Sequence, residues 1–96
     1  MPYLSWTDGT LLVRHALEGD CCLGRDVSAC EVARASDATL SRRHALISQG
    51  ASGWWIRDLQ SVNGTLLNGL PVPSPGGRLE DGDVIRMGDW TVTFTE

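Results

Sequence analysis

Apolar, β-branched and aromatic residues come in short runs along this chain: Leu11 to Leu17, Cys21 to Leu23, His44 to Ser48, Trp54 to Leu59, Val84 to Met87 and Trp90 to Thr95. Turn formers separate them at intervals of about eight to twelve residues, among them Asp8-Gly9, Glu18-Gly19-Asp20, Gly50 to Gly53, Asn63-Gly64, Asn68-Gly69, Gly76-Gly77, Asp81-Gly82-Asp83 and Gly88-Asp89. No window sustains the three-to-four-residue apolar period of a helix; Ala29 to Ala35 comes nearest and is short, with turn formers on either side. Many short strands at regular spacing predict an all-β sandwich or barrel. Pro71, Pro73 and Pro75 predict a long irregular connection, because proline cannot donate to a sheet ladder.

One hairpin carries topological information. Runs 44–48 and 54–59 are joined by the tight connection around Gly50 to Gly53, so they should pair antiparallel. Ser41 precedes the first and Asn63 follows the second, which sets both at the sheet end opposite that turn. Counting strands does not place Arg25, because 26–40 holds too little clear strand. The neighbours Trp54 and Trp55 must face opposite sides of their strand, one with Ile56 in the core and the other outward.

Composition narrows the class. The chain has 96 residues, 42% of them hydrophobic and 21% charged, which suits one folded domain and is wrong for a disordered chain. Formal net charge is -4, which disfavours general affinity for nucleic acid or an anionic membrane. The apolar stretches are too short to span a bilayer, and the first residues lack the basic region and long apolar run of a signal peptide. Cys21, Cys22 and Cys30 lack the pairing of a metal site and read as reduced packing residues, which favours a cytoplasmic setting.

All eight basic residues are arginine, and the most informative stretch is Ser41-Arg42-Arg43-His44. Arg25 follows Gly24 at the end of Cys21-Cys22-Leu23, and Ser61-Val62-Asn63-Gly64-Thr65 and Asn68-Gly69 lie downstream. Guanidinium forks match phosphate or carboxylate, and hydroxyl and amide neighbours add neutral donors. The pattern points to a phosphorylated ligand. A surface ion pair of Arg25 with Asp26 or Asp20 is the competing role for that residue. No nucleophile–base pair, carboxylate pair or metal cluster is evident, so no catalytic residue, metal or cofactor is assigned.

Gly24-Arg25, Ser41-x-x-His44, Asn63-Gly64-Thr65, Asn68-Gly69 and Leu79-x-Asp81-Gly82-Asp83-x-Ile85-x-x-Gly88 together resemble the forkhead-associated (FHA) domain. The resemblance runs from about Leu11 to Phe94 and implies one domain over 1–96. It implies a β-sandwich of two antiparallel sheets whose loops at one end bind phosphothreonine peptides. Carried onto this chain, it places Arg25, Ser41 and Arg42 on phosphate and adjoining peptide backbone, and Asn63 on the ligand main chain. Val62 stands where many members have a serine or threonine, and Thr39 where the third residue after the phosphothreonine is often read. Arg43 and Arg34 are further candidates for that reading or for electrostatic support.

The same resemblance gives His44 a bracing role and makes Gly24, Gly64, Thr65, Asn68 and Gly69 loop scaffolding. Gly64 and Gly69 are expected at positive φ, with Thr65 and Asn68 bracing their turns. The partner implied is a phosphothreonine-containing protein, in a signalling adaptor or as the regulatory domain of a longer chain, with an intramolecular ligand also open. A phosphate-independent assembly or dimerisation module on the same fold is the alternative.

Overall fold

The computed structural model describes residues 1–96 and contains strands but no helix. Eleven strands follow in order: β1 Tyr3–Asp8, β2 Leu11–Ala16, β3 Cys21–Gly24, β4 Val32–Ala33, β5 Ala45–Gly50, β6 Gly53–Asp58, β7 Thr65–Leu67, β8 Leu70–Pro71, β9 Gly77–Leu79, β10 Val84–Met87 and β11 Trp90–Thr95. They form a six-stranded sheet in the order β2-β1-β11-β10-β7-β8 and a five-stranded sheet in the order β4-β3-β5-β6-β9. The expected sandwich is present. No helix is long and apolar enough to cross a membrane.

Alternation builds the core. Ala45 and Ile47 of β5, Trp54 and Ile56 of β6, Ile85 and Met87 of β10, and Trp90, Val92 and Phe94 of β11 point inward and are buried. Their neighbours Thr91, Arg57 and Arg86 are exposed, as the two-residue period of a half-buried strand requires. Trp54 lies in the core, whereas Trp55 keeps 37% of its surface on the outer face. Trp6 of β1 meets Trp90 edge-on with centroids 5.3 Å apart, one of the preferred aromatic geometries.

Two features depart from the expected plan. β1 is an inner strand between β2 and β11, and its Leu4 is fully buried, so the core reaches further toward the N-terminus than Leu11. The sheets are also not wholly antiparallel, because β4 runs parallel to β3, with Leu23 opposite Val32. The cause is a tight turn at Asp26, whose carbonyl accepts the amides of Ala29 and Cys30. That turn swings the chain back beside β3 in the same direction. The Ala29–Ala35 stretch therefore contains strand β4 rather than a helix. Pro71 sits on edge strand β8, where a missing donor costs no ladder bond.

The β5–β6 ladder runs antiparallel from Ala45↔Asp58 to Gly50↔Gly53, which carries segments 41–44 and 59–64 to one end of the sandwich.

Leu4→Ala should cost about 2 to 5 kcal/mol, because it opens a cavity beneath an inner strand. Trp55→Ala, on the outer face, should cost about 1 kcal/mol or less. Thermal unfolding of both variants checks this ordering; a small loss at Leu4 would detach β1 from the core.

Candidate functional site

His44 joins the loops. It is fully buried, and its Nδ1 accepts the Ser41 backbone N–H at 3.0 Å. An Nδ1 that accepts carries no proton, so Nε2 bears one and donates to the Gly64 carbonyl at 2.8 Å. Its own backbone is fixed as well: its N–H donates to Leu23 and its carbonyl accepts from Leu59. One side chain thus ties the segment before β5 to the loop after β6.

Gly24 lets the third segment in. The Arg25 N–H donates to the carbonyls of Ser41 at 3.0 Å and Arg42 at 3.1 Å, and the Asp26 N–H also reaches Arg42 O. A Cβ at Gly24 would collide with the Arg42 carbonyl oxygen and crowd the His44 amide. Only glycine permits this approach. Strand counting could not bring Arg25 to Ser41; these backbone bonds do.

Side chains then converge. Arg25 and Arg42 line one open depression of about 480 Å³ with Asp26 and Ala35. Neither arginine forms an ion pair within the protein, whose only such pairs are Arg34–Asp37 and Arg86–Asp89. The Asp26 carboxylate is held instead by the hydroxyl and amide of Ser28. Those bonds, with a smaller contribution from nearby Arg42, lower its pKa. Ser41 Oγ accepts the Val62 N–H at 3.0 Å, which leaves its own proton to donate. The Val62 side chain is 90% exposed beside it.

Asn63 Nδ2 donates to the Thr39 carbonyl at 2.8 Å. Its Oδ1 has no partner within the protein and remains an open acceptor.

Beyond Asn63 lies a second depression of about 370 Å³, lined by Thr39, Asn63, Gly64, Leu66, Arg86, Gly88 and Asp89. Thr39 does not offer its hydroxyl there: Oγ1 donates to Asp37 and accepts the Asp89 N–H. Arg43 turns away and lines a separate depression with Arg57 and Asp58. Arg34 stacks over Trp90 at 5.3 Å and pairs with Asp37. Neither joins the Arg25–Arg42 cluster.

Two residues central to the loops were missed in the sequence. Asp58 accepts from the backbone and hydroxyl of Ser61 and from Thr65 Oγ1, and Ser61 Oγ in turn accepts the Gly64 N–H. Burial opposes the Asp58 charge, but the bonds from Ser61 and Thr65 together outweigh it and keep its pKa below the ordinary 3.8. Ser61 opens the Ser61-Val62-Asn63-Gly64-Thr65 stretch but was assigned no role from the sequence; an Asp-x-x-Ser spacing closing a turn is the signal that links it to Asp58. Gly64 and Gly69 adopt φ of +80° and +86°. Asn68 ties its turn to β10, donating to Asp83 and accepting the Val84 N–H.

A two-sheet sandwich that gathers unpaired arginines on loops at one end is built as an interaction module. The family model of the FHA domain matches residues 21–88, well over half of the chain, and the chain belongs to that family. An FHA domain-containing protein of Arabidopsis thaliana is 43% identical over 70 residues, covering 72% of this chain and 18% of that protein. A structure solved for phosphothreonine-dependent FHA domain interactions superposes with a TM-score of 0.82 at 31% identity, covering 99% of this chain and 95% of the other. The Mycobacterium tuberculosis FhaA FHA domain, complexed with the intracellular domain of Rv3910, gives 0.81 at 30% identity, with 98% and 99% covered. The chain spans less than a fifth of the length of the Arabidopsis relative.

His44→Ala should lower the melting temperature by several degrees, because it leaves the Ser41 amide and Gly64 carbonyl without their shared partner. Asp58→Asn should cost about 1 kcal/mol at neutral pH. A carboxylate with a depressed folded pKa stabilises above its unfolded value and loses that contribution as pH falls through the folded value. The gap between parent and Asp58→Asn should therefore shrink below about pH 4 in pH-dependent thermal unfolding. A gap that widens toward acid would contradict this.

Proposed function

We propose that this FHA domain binds phosphothreonine segments of a partner protein, or of its own parent chain, through Arg25, Ser41, Arg42, Val62 and Asn63. The observation that carries this is the pair of unpaired guanidinium groups, Arg25 and Arg42, facing one depression, with Ser41 next to Arg42 in the chain and bonded through its carbonyl to the Arg25 N–H. A dianionic phosphate supplies the acceptors that such forks lack. In a chain of net charge -4, selectivity for phosphate then arises locally. The free Asn63 Oδ1 suits a ligand main-chain N–H.

The exposed Val62 isopropyl group stands beside Ser41 and offers the threonine methyl an apolar neighbour. Burying one methyl is worth about 0.8 kcal/mol, enough for a several-fold preference over phosphoserine. Residues after the phosphothreonine run toward the depression beyond Asn63. There the Thr39 hydroxyl is already engaged, and the exposed Arg86, held by Asp89 and the Gly88 carbonyl, is the cation that faces them.

Binding and not catalysis is the role: Ser41 lacks a base, and His44 is engaged at both ring nitrogens. The 96 residues act as one domain. Three free cysteines suit a cytoplasmic setting, and a regulatory position within a longer protein accords with the size of the relatives.

Calorimetric titration with matched threonine, phosphoserine and phosphothreonine peptides tests the proposal. Binding should require phosphate, favour phosphothreonine and weaken with added salt. Arg25→Ala should abolish it with little change in melting temperature. Val62→Thr should tighten it without altering the threonine preference. Equal affinity for phosphorylated and unphosphorylated peptides would point to a phosphate-independent assembly module.

A further inference from the structure

Cys22 and Cys30 lie against each other beneath the loop that carries Arg25. Cys21 faces the core, so Cys22, next to it on β3, faces the other way, and residues 25–31 fold back over it. The two sulfurs are 2.7 Å apart, and both belong to free thiols. The Cys30 thiol also donates to the Arg42 carbonyl oxygen at 3.4 Å. That oxygen accepts the backbone N–H groups of Arg25 and Asp26. The thiol pair therefore adjoins the atom that seats Arg25 beside Ser41.

The loop is held at several points but not closed. The Asp26 carbonyl accepts the amides of Ala29 and Cys30, and the Glu31 carboxylate accepts the Cys22 N–H at 2.7 Å. Val27 and Ser28 at its tip are exposed. A bond between the sulfurs would close a ring from Cys22 to Cys30 with Arg25 inside it.

We propose that Cys22 and Cys30 are a redox modification site, oxidised by a small-molecule disulfide to an intramolecular disulfide that tightens phosphothreonine binding by tethering the Arg25 loop. The regulatory half rests on the function proposed above; formation of the bond does not. When the loop opens, a deprotonated thiol of the pair attacks the oxidant RSSR and expels RS⁻, forming a mixed disulfide. The second protein sulfur then attacks the first, the protein disulfide forms, and another RS⁻ leaves. The two protons lost by the cysteines end on the two RS⁻ groups: two protein thiols are oxidised and one RSSR is reduced to two RSH. Burial, with the hydrogen bond to Cys22, pushes the Cys30 thiol up to about 12, so exchange is slow while the loop stays closed. A ring pre-set in its bound shape loses less freedom on binding, which sets the direction of the effect.

The test treats the whole folded chain with glutathione disulfide, maps thiols by alkylation and mass spectrometry, and titrates each redox form with a phosphothreonine peptide. The expected product has one Cys22–Cys30 link, with Cys21 alkylated only after denaturation. Its peptide affinity should be several-fold tighter than that of the reduced form and return to the reduced value with dithiothreitol. Cys22→Ser and Cys30→Ser should each abolish the oxidant-dependent change, so the assignment does not hang on one variant folding. A chain that stays folded without forming the link, a link through Cys21, or equal or weaker affinity after oxidation overturns the proposal. Absence of phosphopeptide binding in both redox forms would overturn the function and the regulation together, while a mapped link would still establish the modification site.

Discussion

A buried imidazole accepts one backbone N–H and donates to one backbone carbonyl, and the ligand end of this molecule depends on that bridge. His44 spans from Ser41 to Gly64, so two loops far apart in sequence share one support. Buried backbone groups left unpaired cost more than the bond itself returns, which makes the bridge costly to lose. The sandwich supplies the setting. Hairpin β5–β6 delivers both loops to the same end, and the core beneath holds the His44 backbone between Leu23 and Leu59.

The third segment follows from a different constraint, the space left by one missing side chain. Gly24 lets β3 end against the Arg42 carbonyl, and the Arg25 amide takes that carbonyl as its acceptor. Arg25 and Arg42 then share a depression although seventeen positions separate them in sequence. Asp58, through Ser61 and Thr65, shapes the remaining loop. Three local devices (an imidazole bridge, a glycine gap and a carboxylate turn) thus bring three loop segments to one end of the sandwich. Each is satisfied within the protein before a ligand arrives, so the backbone these devices fix needs little ordering, whereas the tip of the Arg25 loop at Val27 and Ser28 stays exposed.

How legible this was depended on how far each signal reached along the chain. The strands β3, β5, β6, β10 and β11 were plain, because each buries alternate or continuous apolar residues, and β2 showed as an apolar run although none of its residues is buried. β1 escaped because only Leu4 and Trp6 mark its inner face at the very start of the chain. β4, β7, β8 and β9 have two or three residues each, too few for a period to show. The shared end of Ser41 and Asn63 followed from hairpin geometry alone, whereas Arg25 needed either a family resemblance or the structure. The contact of Cys22 with Cys30 was hidden for a related reason: it is made by the Asp26 turn, and the spacing of the two cysteines carries no signature. Thr39 read as a ligand contact from its position, but its hydroxyl is engaged by Asp37 and Asp89.

Nitrogen-15 NMR of the His44 ring in the free protein reaches the central claim most directly, since it reports which ring nitrogen carries the proton. The bridge predicts a protonated Nε2 and an unprotonated, hydrogen-bonded Nδ1, both nearly unchanged when a phosphothreonine peptide saturates the site. A proton on Nδ1, or a ring whose nitrogens change state only when peptide is added, would show that the loops are assembled by the ligand and not by His44.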